Sequence, residues 1–203
     1  MKSFIISLGQ QFLIDMLRVE GVSLAGLSPS DMQGKLTDGN VYIRSEITGG
    51  GGIVNLIESG TLEKIGTSSF NGQKLPAGVK MAVERIRLGF CELEDNDTNK
   101  SAKPAGQAYT NKYSTVAAKL RAAHFILTKG GKKILEIPVS QFLTLDSCEG
   151  MIAEHDCYDL QAFRYLKGDE LLEIQLSFPP EVQWPAGKKY FASVELLGPR
   201  AQA

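Results

Sequence analysis

The first twenty residues carry a helical repeat. Phe4, Ile5, Leu8, Phe12, Leu13, Met16 and Leu17 recur at spacings of three and four, so a helix brings them to one face, while Lys2, Gln10, Asp15 and Arg18 fall elsewhere. Ile6 and Ile14 widen the apolar stripe, and Gly21 supplies a stop. Such a helix either packs on its own domain or serves as a docking arm against a neighbouring subunit or a lipid surface. In the second case the subunit-contact residues are Phe4, Ile5, Leu8, Phe12, Leu13 and Met16.

Residues 26–40 read as loop, with Pro29, Gly34 and an Asp38-Gly39 turn signal. The period then changes to two. In VYIRSEI, Val41, Ile43 and Ile47 point one way and Tyr42, Arg44 and Glu46 the other, the mark of a half-buried strand. Four glycines, Gly49 to Gly52, follow and read as a flexible connector. TLEKI is a short candidate strand. VKMAVERIRLGFCEL is a long one whose buried phase moves from Val79, Met81 and Val83 to Ile86, Leu88 and Phe90, so a bulge is expected near Glu84-Arg85. The polar stretch 94–114 has no period and reads as a long exposed loop.

The second half alternates more clearly. KLRAAHFILT and KKILEIPV flank Gly130-Gly131, a hairpin signal. AFRYL leads to a tight turn at Gly168-Asp169. ELLEIQLSF places Leu172, Ile174, Leu176 and Phe178 inward, and KKYFASVELLG aligns Tyr190, Ala192, Val194 and Leu196. The total is about eight strands. The predicted fold is therefore all-β, a single jelly-roll sandwich of about eight antiparallel strands with an N-terminal amphipathic helix. Residues 1–60 form the helical arm, first strand and Gly-rich linker, and residues 61–203 the jelly-roll domain.

Composition narrows the partners. Lys plus Arg is 22 and Asp plus Glu is 23, a net charge of −1, which excludes the overall basic field of nonspecific nucleic-acid binding. Cys91, Cys148 and Cys157 are too few, and odd in number, for a disulfide framework in a chain of 203 residues. The N-terminal apolar run is interrupted by Gln10, Gln11 and Asp15, too soon for a signal peptide or a span of roughly 20 apolar residues.

Candidate chemistry is sparse. Cys148, His155 and Cys157, with remote His124, offer zinc-type ligands, but the two cysteines are nine apart and form no finger spacing. Glu92, Glu94, Asp95 and Asp97 suggest calcium, yet an EF-hand counted from Asp95 would need Gly at Lys100 and Glu at Gly106. The Gly49–Gly52 run is followed by Ile53-Val54 rather than the Lys-Ser or Lys-Thr of a phosphate loop. His124 lies in an apolar strand and reads as a core histidine rather than a base. Arg85 and Arg87 share a strand face, and Lys129, Lys132 and Lys133 surround a hairpin tip; both read as solvated groups. No cofactor, metal or catalytic residue is expected, and the chain reads as a protein other than an enzyme.

Three segments bear a resemblance. FNGQKLPAGVKMAVERIRLGF resembles a turn and long first barrel strand in coat proteins of tailless icosahedral bacteriophages. KLRAAHFILTKGGKKILEIPVSQFL resembles their central hairpin, with its Ile-Pro-Val-Ser step, and ELLEIQLSFPPEVQWPAGKKYFASVELLGPR their closing strand pair. The resemblance covers residues 70–200. It implies a structural virion protein: a single-barrel capsid subunit, coat or penton, that self-assembles into an icosahedral shell in the host cytoplasm, as a homo-oligomer with other capsid proteins. It implies no catalytic residues and no specific nucleic acid. Such phages often enclose a membrane beneath the shell, a further partner for the N-terminal helix. The alternative is a jelly-roll module that binds carbohydrate or another surface ligand, for which Trp184, Tyr109, Tyr113 and Tyr158 would form an aromatic platform.

Overall fold

The computed structural model describes residues 7–22, 36–48, 52–145, 156–180 and 184–202. One helix, α1 (Leu8–Val19), precedes the strands. Its start is a reciprocal cap: the Gln10 amide N–H donates to the Ser7 hydroxyl, and the Ser7 N–H donates to the Gln10 side-chain oxygen, each at 3.1 Å. Gly21, at φ +76°, ends it as expected, and the Val22 N–H folds back to the Leu17 carbonyl.

Eight strands follow among the described residues: β1 (Leu36–Glu46), β2 (Gly52–Asn55), β3 (Val79–Glu94), β4 (His124–Lys129), β5 (Lys132–Pro138), β6 (Tyr158–Lys167), β7 (Leu172–Phe178) and β8 (Lys188–Gln202). They form two four-stranded sheets. Sheet A has the order β1-β8-β3-β6 and sheet B the order β2-β7-β4-β5, all pairs antiparallel. The first strand thus pairs with the last, the second with the seventh, the third with the sixth and the fourth with the fifth. The chain is all-β, a sandwich of two antiparallel sheets with one longer helix.

Periodicity explains the core. The inward positions named from sequence close against each other: Val41, Ile43, Met81, Ile86, Leu88, Val194 and Leu196 from sheet A meet Leu172, Ile174 and Leu176 from sheet B in one buried cluster, which Val54, Phe125 and Leu127 of sheet B join. The bulge expected near Glu84-Arg85 exists, as a register shift between Val83 and Arg85 against β6 and between Met81 and Arg85 against β8. On β8 it faces Gly198, at φ +154°, where any side chain would run into the Ala82 carbonyl. The Gly130-Gly131 hairpin is present too, both glycines at positive φ as its tight turn demands.

β1 and β2 are integral to the two sheets, β1 at the edge of sheet A and β2 at the edge of sheet B. Several expectations are corrected. Asp38-Gly39 is not a turn but lies within β1, where Gly39 pairs with Gly198. TLEKI is not a strand; the second strand is Gly52–Asn55, inside the stretch read as a connector. Gly49–Gly51 lie outside the described residues. KLRAA is not strand either, because Ala118–Arg121 makes one helical turn (α2) before β4 opens at His124.

The outer face of sheet A carries two covers. α1 lies on one part, burying Leu13, Ile14 and Leu17, with Leu13 and Leu17 packed against Ala82 and Ala201. Small residues there let the helix approach. Gly9 meets the Glu84 carboxylate at the bulge, so a side chain there would have to displace it, and the Gly9 N–H hydrogen-bonds that carboxylate. The second cover is the 95–116 segment.

Candidate functional site

The 95–116 segment, mostly exposed as expected, crosses the outer side of sheet A. Its short 3-10 turn, Pro104–Gly106, lies beside β1, and Thr110 pairs with Phe90 on β3 through two backbone hydrogen bonds of 2.8 and 2.9 Å. Between these anchors Tyr109 settles on Gly89, where a Cβ would sit 3.2 Å from the tyrosine's own Cβ. The Tyr109 hydroxyl donates to the Pro104 carbonyl at 2.7 Å. Burial pushes its phenol well above the ordinary range, so it stays protonated.

Beneath and beside this crossing is a cleft of about 300 Å³, bordered by Arg44, Arg87, Gln107, Tyr109, Asn111, Asp156, Ser193 and Glu195. Three strands supply its floor. Arg44 on β1 and Arg87 on β3 flank Glu195 on β8, at 3.8 and 3.0 Å. Register sets this up: Glu195 pairs with Tyr42 on one side and Arg87 on the other, and its side chain is only 15% exposed. Arg44 is further fixed by donating to the Gly66 carbonyl at 3.1 Å and by lying over the rings of Tyr42 and Tyr109, at 5.7 and 5.6 Å. Burial works against the Arg87 charge, but Cys157 and Glu195 outweigh it and raise its pKa, so it is held as a cation. The cleft sets opposite charges side by side and offers several hydrogen-bonding groups.

The expected site residues separate. Of the subunit-contact set, Phe4 and Ile5 lie outside the described residues. Leu8 is 79% exposed, Phe12 and Met16 are half-buried, and Leu13 is fully buried against its own sheet, so it faces inward rather than toward a partner. Phe12 packs on Phe163 of β6. Cys148 and His155 lie outside the described residues, while Cys157 stands beside Arg87. Among the described residues no cluster of His, Cys, Asp or Glu could hold a metal ion. The calcium candidates are paired with lysines: Glu92 and Glu94 with Lys188, Asp95 with Lys189, Asp97 with Lys100. His124 is not a core residue; it is exposed at the start of β4 and meets Glu136 at 3.2 Å. Lys129 pairs with Glu170 and Lys133 with Glu136.

The aromatic platform is not formed as one surface. Tyr109 lines the cleft and Tyr158 a second cavity of about 220 Å³ between β5 and β6. Tyr113 stacks under Arg121. Trp184 packs with Phe178 and Tyr190, and these rings hold the Lys119 ammonium, 3.5 Å from the Tyr190 ring centre and 4.4 Å from that of Trp184. Sequence reasoning missed Arg44, Glu195, Asn111 and Ser193 as site residues. The one signal was charge in the outward phase of otherwise apolar strands; their convergence depends on pairing residues as distant in sequence as Arg44 and Glu195.

No protein-family model matches the chain, and no curated protein sequence matches it.

Proposed function

We propose that the chain is a structural virion protein, a capsid subunit, coat or penton, built on a single jelly roll and assembling with copies of itself and other capsid proteins into an icosahedral shell. One observation carries the reading: the nested strand order, first with last and inward to fourth with fifth, split over sheets β1-β8-β3-β6 and β2-β7-β4-β5. A hairpin of four strand pairs rolled over a common core, as in a double Greek key, would give that order, which supports the jelly-roll reading. The order of the segments resembling phage coat proteins supports it. So does the near-zero net charge, which lets like subunits pack closely. Contact with copies would use the outward side of α1, at Leu8 and the exposed part of Met16. At twelve residues α1 is about 18 Å long, so any meeting with an internal viral membrane is at the surface. The protein is not an enzyme in this reading.

Sedimentation and electron microscopy of the full chain test it. Concentration-dependent assembly into shell-like particles is expected, weakened by Leu8→Asp, which leaves the buried face of α1 intact. A chain that stays monomeric at high concentration over a range of salt overturns the proposal. A second reading, a jelly-roll module for carbohydrate or another surface ligand, is favoured by the cleft over sheet A.

A further inference from the structure

We infer that the cleft between the 104–111 crossing and sheet A binds a neutral saccharide, one or two sugar rings in size. Charge selects the class first. Two guanidinium groups, Arg44 and Arg87, stand against two carboxylates, Glu195 and Asp156. Both arginines face Glu195, and each keeps a buried Nε–H without a partner among the described residues. An anion entering the cleft would meet Glu195 and Asp156, and a cation would meet the guanidinium pair; each like-charge approach is unfavourable. A neutral ligand meets neither penalty.

Hydrogen-bonding character selects next. Ligand sites for drug-like molecules are lined mainly by apolar and aromatic side chains with a few polar groups. Here the proportions are reversed, which disfavours a lipid or other apolar ligand. A sugar hydroxyl both donates and accepts, and the lining offers both: Arg87 and Ser193 as donors, Gln107 and Asp156 as acceptors. The Tyr109 ring supplies one surface for the C–H face of a pyranose, backed by Arg44. The volume, about 300 Å³, lies at the small end of ligand sites, which fits a mono- or disaccharide.

Preorganisation completes the argument. Tyr109 is fixed by Gly89 below it and by its hydrogen bond to Pro104, and Arg44 by Gly66 and two rings. Groups already held in place lose little freedom when a ligand arrives, so even a small polar ligand can be bound measurably. The assignment stands apart from the shell reading: loss of sugar binding would leave assembly untouched, and the reverse.

Saturation-transfer NMR on the full chain tests it, with glucose, galactose, mannose and N-acetylglucosamine as probes and inorganic phosphate as the anionic comparator. Transfer to at least one neutral sugar is expected, with a Kd of about 1 mM. Asp156→Ala, at the exposed rim, and Ser193→Ala, on the floor, should each weaken it about tenfold without moving the melting temperature. The inference is overturned if none of the four sugars gives transfer, if phosphate binds more tightly than all of them, or if both substitutions leave the signal unchanged.

Discussion

Sheets A and B share a core but live in different surroundings. Along β7 of sheet B, buried and half-exposed residues alternate without a break from Leu172 to Phe178. Along β8 of sheet A, five residues in succession, Tyr190 to Val194, are buried, and β3 is buried from Leu88 to Cys91. The difference is what lies outside. Sheet B turns residues such as Ile53, His124 and Glu136 to water, whereas sheet A lies beneath α1 and the 104–111 crossing. Sheet A accordingly carries Ala82, Gly89, Ser193 and Ala201 where its covers approach, and an ion-pair cluster where they leave a gap. A single-sided sheet is a wall; a two-sided one can hold a site between its face and its cover.

The most severe way to break this contrast is to hollow out one cover. Leu13→Ala removes a fully buried side chain from the α1–sheet A contact and should cost about 2–5 kcal/mol in urea unfolding. Ile53→Ala, on the outer face of sheet B with its residue 62% exposed, should stay within about 0.5 kcal/mol. Equal losses at the two positions would mean that α1 adds nothing to the fold.

That asymmetry also governs how much the sequence discloses. β7 could be read with its correct facing residues because one wet face imposes a period of two. The β3 bulge was legible for a related reason: the core-facing set changes phase at Glu84-Arg85, and only an extra residue permits that. β2 was not legible. Four residues beside a glycine run, with Ile53 and Asn55 turned outward, leave too short a pattern to tell a strand from a linker. The direction of α1 was half legible: its apolar stripe was clear, but whether Leu13 met the same chain or another depended on Ala82 and Ala201, tens of residues away. The cleft was least legible, since Arg44, Arg87 and Glu195 meet only through strand register.

A smaller effect separates the two faces by their charges. Glu195→Gln keeps volume but leaves Arg44 and Arg87 without their shared carboxylate, mostly shielded from water. About 1–3 kcal/mol should be lost, and added salt should recover only part of it. Glu136 on sheet B makes a formally similar cluster with Lys133 and His124, but at 40% side-chain exposure. Glu136→Gln should cost clearly less than Glu195→Gln, and nothing measurable at high salt. Denaturant titrations of both variants at two ionic strengths check the pair; an equally salt-sensitive loss at Glu195 would make sheet A electrostatically no different from sheet B.

The gentlest probe is pH, because the two ends of α1 respond in opposite directions. At the C-terminal end burial would raise Glu20, but Lys80 at 2.9 Å, Tyr165 and Lys167 at 3.4 Å outweigh it and hold the carboxyl below its ordinary 4.5. A folded-state pKa below the unfolded one stabilises above pH 4.5, and that contribution is lost as pH falls through the lower folded value. At the N-terminal end burial raises Glu84 despite Arg85 and the Gly9 N–H. Its contribution has the other sign: it is present below 4.5 and lost as pH rises through the raised folded value. Acidification should therefore loosen the Lys80–Glu20 anchor while relieving the desolvated Glu84. Glu20→Gln should be less stable than the parent at pH 7, with the difference shrinking to nothing at pH values below the folded pKa of Glu20. Glu84→Gln should match or exceed the parent at pH 7 and lose that standing on acidification. Thermal melts of the three proteins from pH 7 downward decide the matter. If Glu20→Gln keeps a constant deficit at every pH, the anchor acts by packing rather than charge, and α1 is held on sheet A by Leu13 and Leu17 alone.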